Sequence, residues 1–151
     1  MEKSAKGLLP DEYFMELALR EAQKAFDSGE VPVGAVVVCR NKVIGRAHNL
    51  TERLNDVTAH AEMQAITAAA HYLGGKYLVG CTLYVTLEPC TMCAGALHWA
   101  QLGRLVYAAD DEKRGYSREP GRLLHPKTTV NRGVLQAKAA GLLKEFFGSR
   151  R

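Results

Sequence analysis

Apolar positions at helical spacing, together with capping and breaking residues, predict four helices along this chain. The first covers 14–26 and follows Asp11, whose side chain is suited to cap it. A second begins near Thr58 as its cap and ends at the glycines of 74–75, and a third is expected over 91–102. The predicted apolar face of the second helix consists of Met63, Ile66, Ala70 and Leu73. That of the last helix consists of Leu135, Ala139, Leu142, Leu143 and Phe146.

Short apolar runs between polar segments predict the strands. Two of them, at 33–39 and 42–48, are separated by only two residues and form a predicted hairpin. Further strands are expected at 81–87 and 104–108, with a short one at 128–132. Because strands and helices alternate along most of the chain, we expect an α/β fold with a mixed sheet of about five strands and helices on both faces.

Length and composition are those of an ordinary globular chain. The 151 residues are expected to form one domain, 1–151, with 47% hydrophobic and 24% charged residues. We find no signal-peptide pattern and no apolar stretch long enough to cross a bilayer, so we expect a cytoplasmic protein without membrane contact. In a reducing compartment, clustered cysteines bind metal or act catalytically more often than they form disulfides.

Charge is unevenly distributed along the chain. Residues 1–100 contain 9 Lys/Arg and 11 Asp/Glu, whereas residues 101–151 contain 11 Lys/Arg and 5 Asp/Glu. A basic last third is expected if a polyanion passes over it. On charge alone, a solvated surface with surplus cations is an equally good interpretation.

Two cysteines open the predicted third helix directly after a strand. Cys90 and Cys93 can be a redox pair, half of a structural zinc site, or ligands of a metal that performs chemistry. A closed structural site needs a fourth Cys or His at a suitable spacing. Neither Cys39 nor Cys81 has a paired ligand nearby, and both are expected to be small buried apolar residues.

His60 and Glu62 lie near the start of the predicted second helix and complete a candidate metal site. Zinc prefers imidazole and thiolate in a tetrahedral arrangement, so His60, Cys90 and Cys93 supply three ligands and leave one position open for water. Glu62 is the wrong ligand for a thiolate-rich structural site but suits proton transfer beside an activated water. Redox cysteine pairs usually lack such a His-x-Glu partner, so the sequence favours a catalytic zinc site.

Two motifs carry a family resemblance. "TAHAEM" at 58–63 and "LEPCTMC" at 87–93 match the H-x-E…P-C-x-x-C signature of zinc nucleobase deaminases. Within that superfamily the chain most resembles the bacterial tRNA adenosine deaminases, which convert the wobble adenosine of an anticodon loop to inosine. The resemblance covers nearly the whole chain, including "EVPVGAVVV" at 30–38, "VYAADDEKRG" at 106–115 and "LLKEFF" at 142–147.

The resemblance implies a fold, a cofactor and an assembly. The fold would be the cytidine-deaminase-like three-layer α/β/α sandwich, and the chain would form a homodimer whose partner helps to complete the site. One Zn²⁺ per chain would be held by His60, Cys90 and Cys93. Glu62 would be the general acid/base.

It also implies contacts to the substrate. Asn49 matches an asparagine that contacts the target nucleoside in the family, and the main-chain N–H of Ala61 resembles a contact to the ring of the base. Asp111 matches an aspartate that lies against the ribose and backbone of the bound strand. The base would be extruded from the anticodon loop into the pocket, with basic residues around its mouth holding the RNA backbone. The basic candidates are Lys113, Arg114, Arg118, Arg122, Lys127, Arg150 and Arg151.

Three functions remain open at this point. The first is a tRNA adenosine deaminase. The second is a deaminase of a free base or nucleoside, such as guanine, cytosine or cytidine, which is favoured by departures from the tRNA enzymes at 98–101 and 112–132. The third is a non-enzymatic, zinc-stabilised RNA-binding module, which has no use for Glu62. Trp99 is expected in the helix core or in a dimer interface.

Overall fold

The computed structural model describes residues 7–149, in which the predicted elements follow one another in the expected order. The helices are α1 (Asp11–Asp27), α2 (Ala61–Leu73), α3 (Thr91–Trp99) and α4 (Gln136–Gly148). The strands are β1 (Gly34–Cys39), β2 (Lys42–His48), β3 (Cys81–Leu87), β4 (Arg104–Ala109) and β5 (Thr129–Arg132). A 3₁₀ turn, Tyr116–Arg118, lies in the long loop between β4 and β5.

The strands form one five-stranded mixed sheet in the order β2-β1-β3-β4-β5. β1 is antiparallel to β2 and β3, whereas β4 is parallel to both β3 and β5. β2, β3 and β4 therefore run in the same direction, and their carboxyl ends meet at one edge of the sheet. Helices α2 and α3 pack on one face, and α1 and α4 on the other. The predicted three-layer α/β/α sandwich is thus confirmed.

The tight turn of the β1–β2 hairpin is formed by Arg40 and Asn41. Both residues have positive φ angles, 53° and 64°, as a two-residue hairpin turn requires. Asn adopts this conformation more readily than most residues because its short polar side chain can bond locally. Here the Asn41 Oδ1 accepts the N–H of Leu9 at 3.0 Å, which ties the turn to the segment before α1.

Two glycines let helices approach the sheet closely. A Cβ atom on Gly34 would lie 2.0 Å from the main-chain oxygen of Ala18 in α1. A Cβ atom on Gly45 would lie 2.9 Å from the main-chain oxygen of Ala65 in α2. Both helices therefore contact the sheet through their backbones, which leaves no space for large side chains between them.

The core face of α2 differs from the predicted one. Its buried apolar residues are Ala61, Ala65 and Ala69. The predicted face is partly or largely exposed, with Leu73 42% exposed. That prediction was wrong because the close approach of α2 to the sheet admits only small side chains. Of the larger apolar residues, Ile66 is only partly buried and packs against the core, whereas Leu73 is exposed.

Asp11 begins α1 but makes no capping hydrogen bond with its side chain. Its carboxylate instead accepts two hydrogen bonds from the Arg104 guanidinium, at 2.9 and 2.6 Å, and one from the Tyr84 hydroxyl at 2.7 Å. Bidentate, charge-assisted bonds are stronger than a neutral capping bond, and they tie α1 to β3 and β4. The predicted cap at Asp11 was therefore wrong.

The two cysteines outside the candidate metal site lie opposite each other on β1 and β3. Cys81 is 1% exposed, as expected, whereas Cys39 is only half-buried. Within residues 7–149, no helix combines the length and the apolar character needed to cross a membrane. Arg150 and Arg151, two of the basic candidates, lie outside the described residues.

Candidate zinc-dependent active site

The ends of three strands bring the predicted site residues to the same edge of the sheet. Asn49 follows β2, Cys90 comes shortly after β3, and Asp111 comes shortly after β4. Because the three strands run in the same direction, residues far apart in sequence become neighbours here. This edge is the usual position of ligand sites in open α/β sheets.

His60 is the residue immediately before α2, and its backbone is extended. The predicted cap, Thr58, lies earlier, and both its N–H and its hydroxyl donate to Asp56 Oδ1, at 2.8 and 2.7 Å. The prediction was wrong because this local carboxylate takes the threonine side chain. The resulting turn leads directly into His60.

The buried side chain of Glu30 holds the loop that precedes His60 through hydrogen bonds. Glu30 is 1% exposed, and its carboxylate accepts the main-chain N–H groups of Glu52 and Arg53 at 3.0 and 2.8 Å. The hydroxyl of Thr51 donates to the same carboxylate at 3.4 Å. Burial of a charge is favourable only with such partners. Glu30 therefore fixes a loop that the sequence pattern shows only as polar.

Asn49 ties the end of β2 to the start of α2. Its Oδ1 accepts the main-chain N–H of Ala61 at 2.8 Å, and its Nδ2 donates to the carbonyl of Val31 at 3.1 Å. Asn49 and Ala61, both predicted to contact substrate, are thus brought together. Their contacts to a nucleoside stay predictions.

His60, Cys90 and Cys93 lie at the spacing that one metal ion requires. Nδ1 of His60 is 3.7 Å from Cys90 Sγ and 3.6 Å from Cys93 Sγ, and the ligand atoms all lie within 4.8 Å of one another. In a tetrahedral zinc site, nitrogen and sulfur ligands are separated by about 3.6 Å. The donor set and its geometry therefore fit zinc, and the predicted cofactor is supported.

The two cysteine side chains shift each other's pKa values in opposite directions. The S–H and N–H of Cys93 donate to the Cys90 sulfur and lower the pKa of Cys90 to about 4, with further help from His60. The same hydrogen bond from the Cys93 thiol to the Cys90 sulfur, together with burial, raises the pKa of Cys93. A divalent cation stabilises both thiolates at once, so this pair is suited to bind a metal.

Glu62 lies in the first turn of α2 and is 4% exposed. Burial raises the pKa of its carboxyl group to about 7, although the neighbouring His60 acts in the opposite direction. Its carboxyl group contacts the Cys93 thiol, which places it beside the three ligands. A carboxyl group with a pKa near neutrality can both accept and return a proton.

Asp111 lies in the turn after β4. Its Oδ1 accepts the main-chain N–H groups of Lys113 and Arg114 at 3.1 and 2.9 Å, so the side chain shapes its own loop. Its own N–H donates to Glu88 at 3.0 Å. Its contact to substrate stays a prediction. Another candidate, Arg122, donates to main-chain carbonyls farther along the same loop.

Sequence reasoning did not identify Glu30 or Glu88 as functional residues. Both are almost fully buried, at 1% and 2% exposure. For Glu88 a signal was present, because a charged residue interrupts an apolar strand directly before Pro89 and Cys90. For Glu30 the pattern offers no comparable signal, since it lies in a polar turn after α1.

Known proteins with similar sequences identify the family of this chain. Residues 9–109 match the cytidine and deoxycytidylate deaminase zinc-binding region. The tRNA-specific adenosine deaminase of Aquifex aeolicus (strain VF5) is 46% identical over 140 residues, which cover 90% of this chain and 93% of that protein.

Solved structures extend the comparison. A structure from studies of A-to-I editing by tRNA:A34 deaminases at the wobble position of transfer RNA has a TM-score of 0.80 and 46% identity, and the match covers 87% of this chain and 99% of that one. The guanine deaminase of Bacillus subtilis has a TM-score of 0.65 and 38% identity, and the match covers 68% and 66%. The chain therefore belongs to the zinc-dependent cytidine and deoxycytidylate deaminase family and, within it, to the tRNA-specific adenosine deaminases.

Proposed function

We propose that this chain converts adenosine to inosine at the wobble position of a tRNA anticodon loop, with release of ammonia. The observation that carries the proposal is the cluster of His60, Cys90 and Cys93 with the buried carboxyl group of Glu62 beside it. The tRNA-specific relative is 46% identical to this chain, whereas the guanine deaminase of Bacillus subtilis is 38% identical. This difference supports RNA rather than a free base as the substrate.

In the proposed reaction, Glu62 carries the proton transfers. Zinc held by His60, Cys90 and Cys93 would supply Lewis-acid activation of the attacking water. Glu62 accepts a proton from that water and delivers it to N1 of adenine, which makes C6 electrophilic. The water oxygen adds to C6. Glu62 then takes the remaining proton of that oxygen and delivers it to the exocyclic amine, so that the C6–N bond breaks, ammonia leaves and the C6 carbonyl of inosine remains. A pKa near neutrality suits Glu62 to both directions of transfer.

Substrate contacts are assigned to Asn49, the main-chain N–H of Ala61, and Asp111. Two contacts support this assignment: Ala61 lies between the metal-cluster residue His60 and Glu62, and its N–H donates a hydrogen bond of 2.8 Å to Asn49 Oδ1. A base that enters the site can replace Asn49 as the acceptor of the hydrogen bond from the Ala61 N–H. Asp111 borders the site from the end of β4, at the edge where the ligands also lie.

We assign the contacts with the RNA backbone to exposed Lys and Arg side chains of the loop after β4. Lys113, Arg114 and Arg118 are exposed within this loop, and Lys127 is exposed near its end. Phosphate contacts of this kind position an RNA without reading its sequence. An extruded base also needs its flanking backbone held, because unstacking costs free energy.

We also propose that the chain forms a homodimer, in which a second copy packs against a surface formed by α2 and α3. Trp99 is 79% exposed, so the helix core, one of its two expected environments, is wrong. Together with Ile66 and Tyr77, it borders a groove of about 430 Å³. Large apolar side chains grouped on one surface are typical of interfaces. Sedimentation velocity should show a dimer that Trp99→Ala converts to monomer, whereas Phe147→Ala on α4 should leave the dimer intact.

A cytoplasmic location belongs to the same proposal. The substrate is a tRNA, and the two cysteine ligands must stay reduced to bind metal. Both requirements favour a compartment that holds RNA and keeps thiols reduced.

The decisive experiment compares substrates for one preparation of known zinc content. Inosine and ammonia should form from an anticodon stem-loop with adenosine at the wobble position, and hardly at all from free adenosine, guanine, cytosine or cytidine. Turnover of a free base or nucleoside but not of RNA would replace this proposal by the second function. Zinc binding without turnover of any substrate would favour the non-enzymatic RNA-binding module.

A further inference from the structure

Glu88 is a buried carboxylate that the proposed reaction does not use. It is 2% exposed and lies two residues before Cys90. Its Oε1 accepts the N–H of Asp111 at 3.0 Å, and its Oε2 accepts the N–H and the hydroxyl of Ser117 at 3.0 and 2.6 Å. These three donors lie at the two ends of the loop 111–117. One side chain therefore closes this loop across its base.

Gly115, inside the loop, lies directly against the carboxylate. A Cβ atom at this position would be 2.3 Å from Glu88 Cδ and 2.4 Å from each carboxylate oxygen. No other residue can occupy the position without displacing Glu88 or the loop. The loop is thus closely packed around the charge as well as hydrogen-bonded to it.

The same loop is joined to the segment that carries the cysteine ligands. Gly115 forms an isolated β-bridge with Cys90, and the N–H of Tyr116 donates to the carbonyl of Pro89 at 2.9 Å. The N–H of Glu88 donates to the carbonyl of Ala109 at 2.8 Å. Loop 111–117 and the ligand segment therefore hold each other in register over several residues.

From these contacts we infer that Glu88 is a positioning residue for the substrate. Its carboxylate sets the position of loop 111–117, with Asp111, Lys113 and Arg114, relative to the metal ligands. The inference rests on the proposed function, because that function makes this loop an RNA contact. It requires a carboxylate, since a glutamine has one acceptor oxygen and would turn its NH₂ group toward N–H donors.

Glu88→Gln tests this role, with the anticodon stem-loop as substrate. We expect KM to rise about tenfold while kcat stays within about twofold and zinc content stays unchanged. Hydrogen exchange at the amides of Asp111 and Ser117 should become faster. Asp11→Asn is the matched control, because it disrupts a hydrogen-bonded carboxylate that holds α1 to β4 and should leave KM unchanged.

Gly115→Ala approaches the same contact from the other side and keeps the charge. It should raise KM by a similar factor. The double variant with Glu88→Gln should have about the same KM as either single variant, because both substitutions disrupt the same contact. Gly141→Ala is its control, since a Cβ atom at that position in α4 meets nothing within 4 Å. If Glu88→Gln fails to fold, Gly115→Ala decides the question alone.

The outcomes separate this inference from the proposed function. If the wild-type chain turns over the stem-loop and neither variant raises KM, the inference is wrong and the function stands. A loss of zinc or of kcat at unchanged KM would instead assign Glu88 to the metal segment and also overturn it. If the wild-type chain does not act on RNA, the proposed function fails, and unchanged amide exchange in loop 111–117 would overturn the structural basis of the inference as well.

Discussion

Segments 60–62 and 88–90 both place a glutamate two positions from a zinc ligand, yet the two glutamates have opposite surroundings. Glu62 and Glu88 are 4% and 2% exposed, so burial does not distinguish them. Glu62 lies beside the ligands, and desolvation dominates its pKa. Glu88 faces a loop that gives it three hydrogen bonds. The groups around a buried glutamate, rather than its depth, therefore separate Glu62, which lies beside the metal ligands, from Glu88, which holds a loop.

The largest effect should come from the metal ligands, because both segments border the one site that these ligands form. Cys93→Ser should abolish zinc binding and deamination, because a neutral hydroxyl is a poor replacement for a thiolate ligand. Metal analysis and inosine release measure the two losses. Cys81→Ser is the matched control, since Cys81 is equally buried but lies at the far end of β3. Loss of zinc in both variants would show that the loss in Cys93→Ser does not identify Cys93 as a metal ligand.

Glu62→Gln should come next and tests the first half of the comparison. We expect kcat to fall roughly 10²–10⁴-fold, the usual contribution of a general acid/base, with zinc content retained. Single-turnover kinetics on the stem-loop separate this loss from binding. The contrast with Glu88→Gln, which should act on KM, is the point of the experiment. If both variants lower kcat to the same extent, the distinction between the two glutamates is wrong.

Glu30→Gln tests whether a second hydrogen-bonded glutamate is structural in the same sense. Its carboxylate accepts main-chain N–H groups of Glu52 and Arg53. Its replacement should reduce the free energy of unfolding by about 1–3 kcal/mol, as measured in urea. Glu52→Gln, exposed in the loop that Glu30 holds, should change it by less than about 0.5 kcal/mol. Equal effects would show that the contacts of Glu30 contribute nothing specific.

The smallest effect concerns Asp11, a carboxylate away from the ligands. Burial tends to raise its pKa, but the bonds from Arg104 and Tyr84 outweigh burial and lower it. A lowered pKa contributes stability that is present above the pKa of the unfolded chain and is lost as pH falls through the folded value. Asp11→Asn should therefore cost about 1 kcal/mol at pH 7 and less at an acidic pH below the folded pKa, where the native carboxylate is protonated. A constant difference at both pH values would contradict this pairing.

Much of the fold follows from the sequence because the chain marks its own boundaries. The hairpin 34–48 and the strands β3 and β4 follow from short apolar runs between polar residues. The face of α2 could not be predicted in the same way. Periodicity favours large apolar residues such as Ile66, whereas the close approach at Gly45 selects alanines. That distance is a property of the packed helix and sheet and is absent from either element alone.

The candidate site, too, could be predicted from the sequence only in part. Zinc chemistry restricts ligand types so strongly that His60, Cys90 and Cys93 can be chosen from spacing and residue type. Glu30 and Glu88 could not be chosen, because most of their partners are main-chain N–H groups of distant loops. Every residue except proline carries such a donor, so the sequence holds no mark of these contacts.

The close approach at Gly34 and Gly45 has a consequence for protein engineering. Since backbone meets backbone on both faces of the sheet, larger residues at these positions would push helices away and disturb the site as a whole. Directed evolution toward new substrates should therefore leave α1, α2 and the strands beneath them unchanged. Diversity belongs in the loops at the carboxyl edge of the sheet, where a changed side chain can reshape the entrance without moving the scaffold.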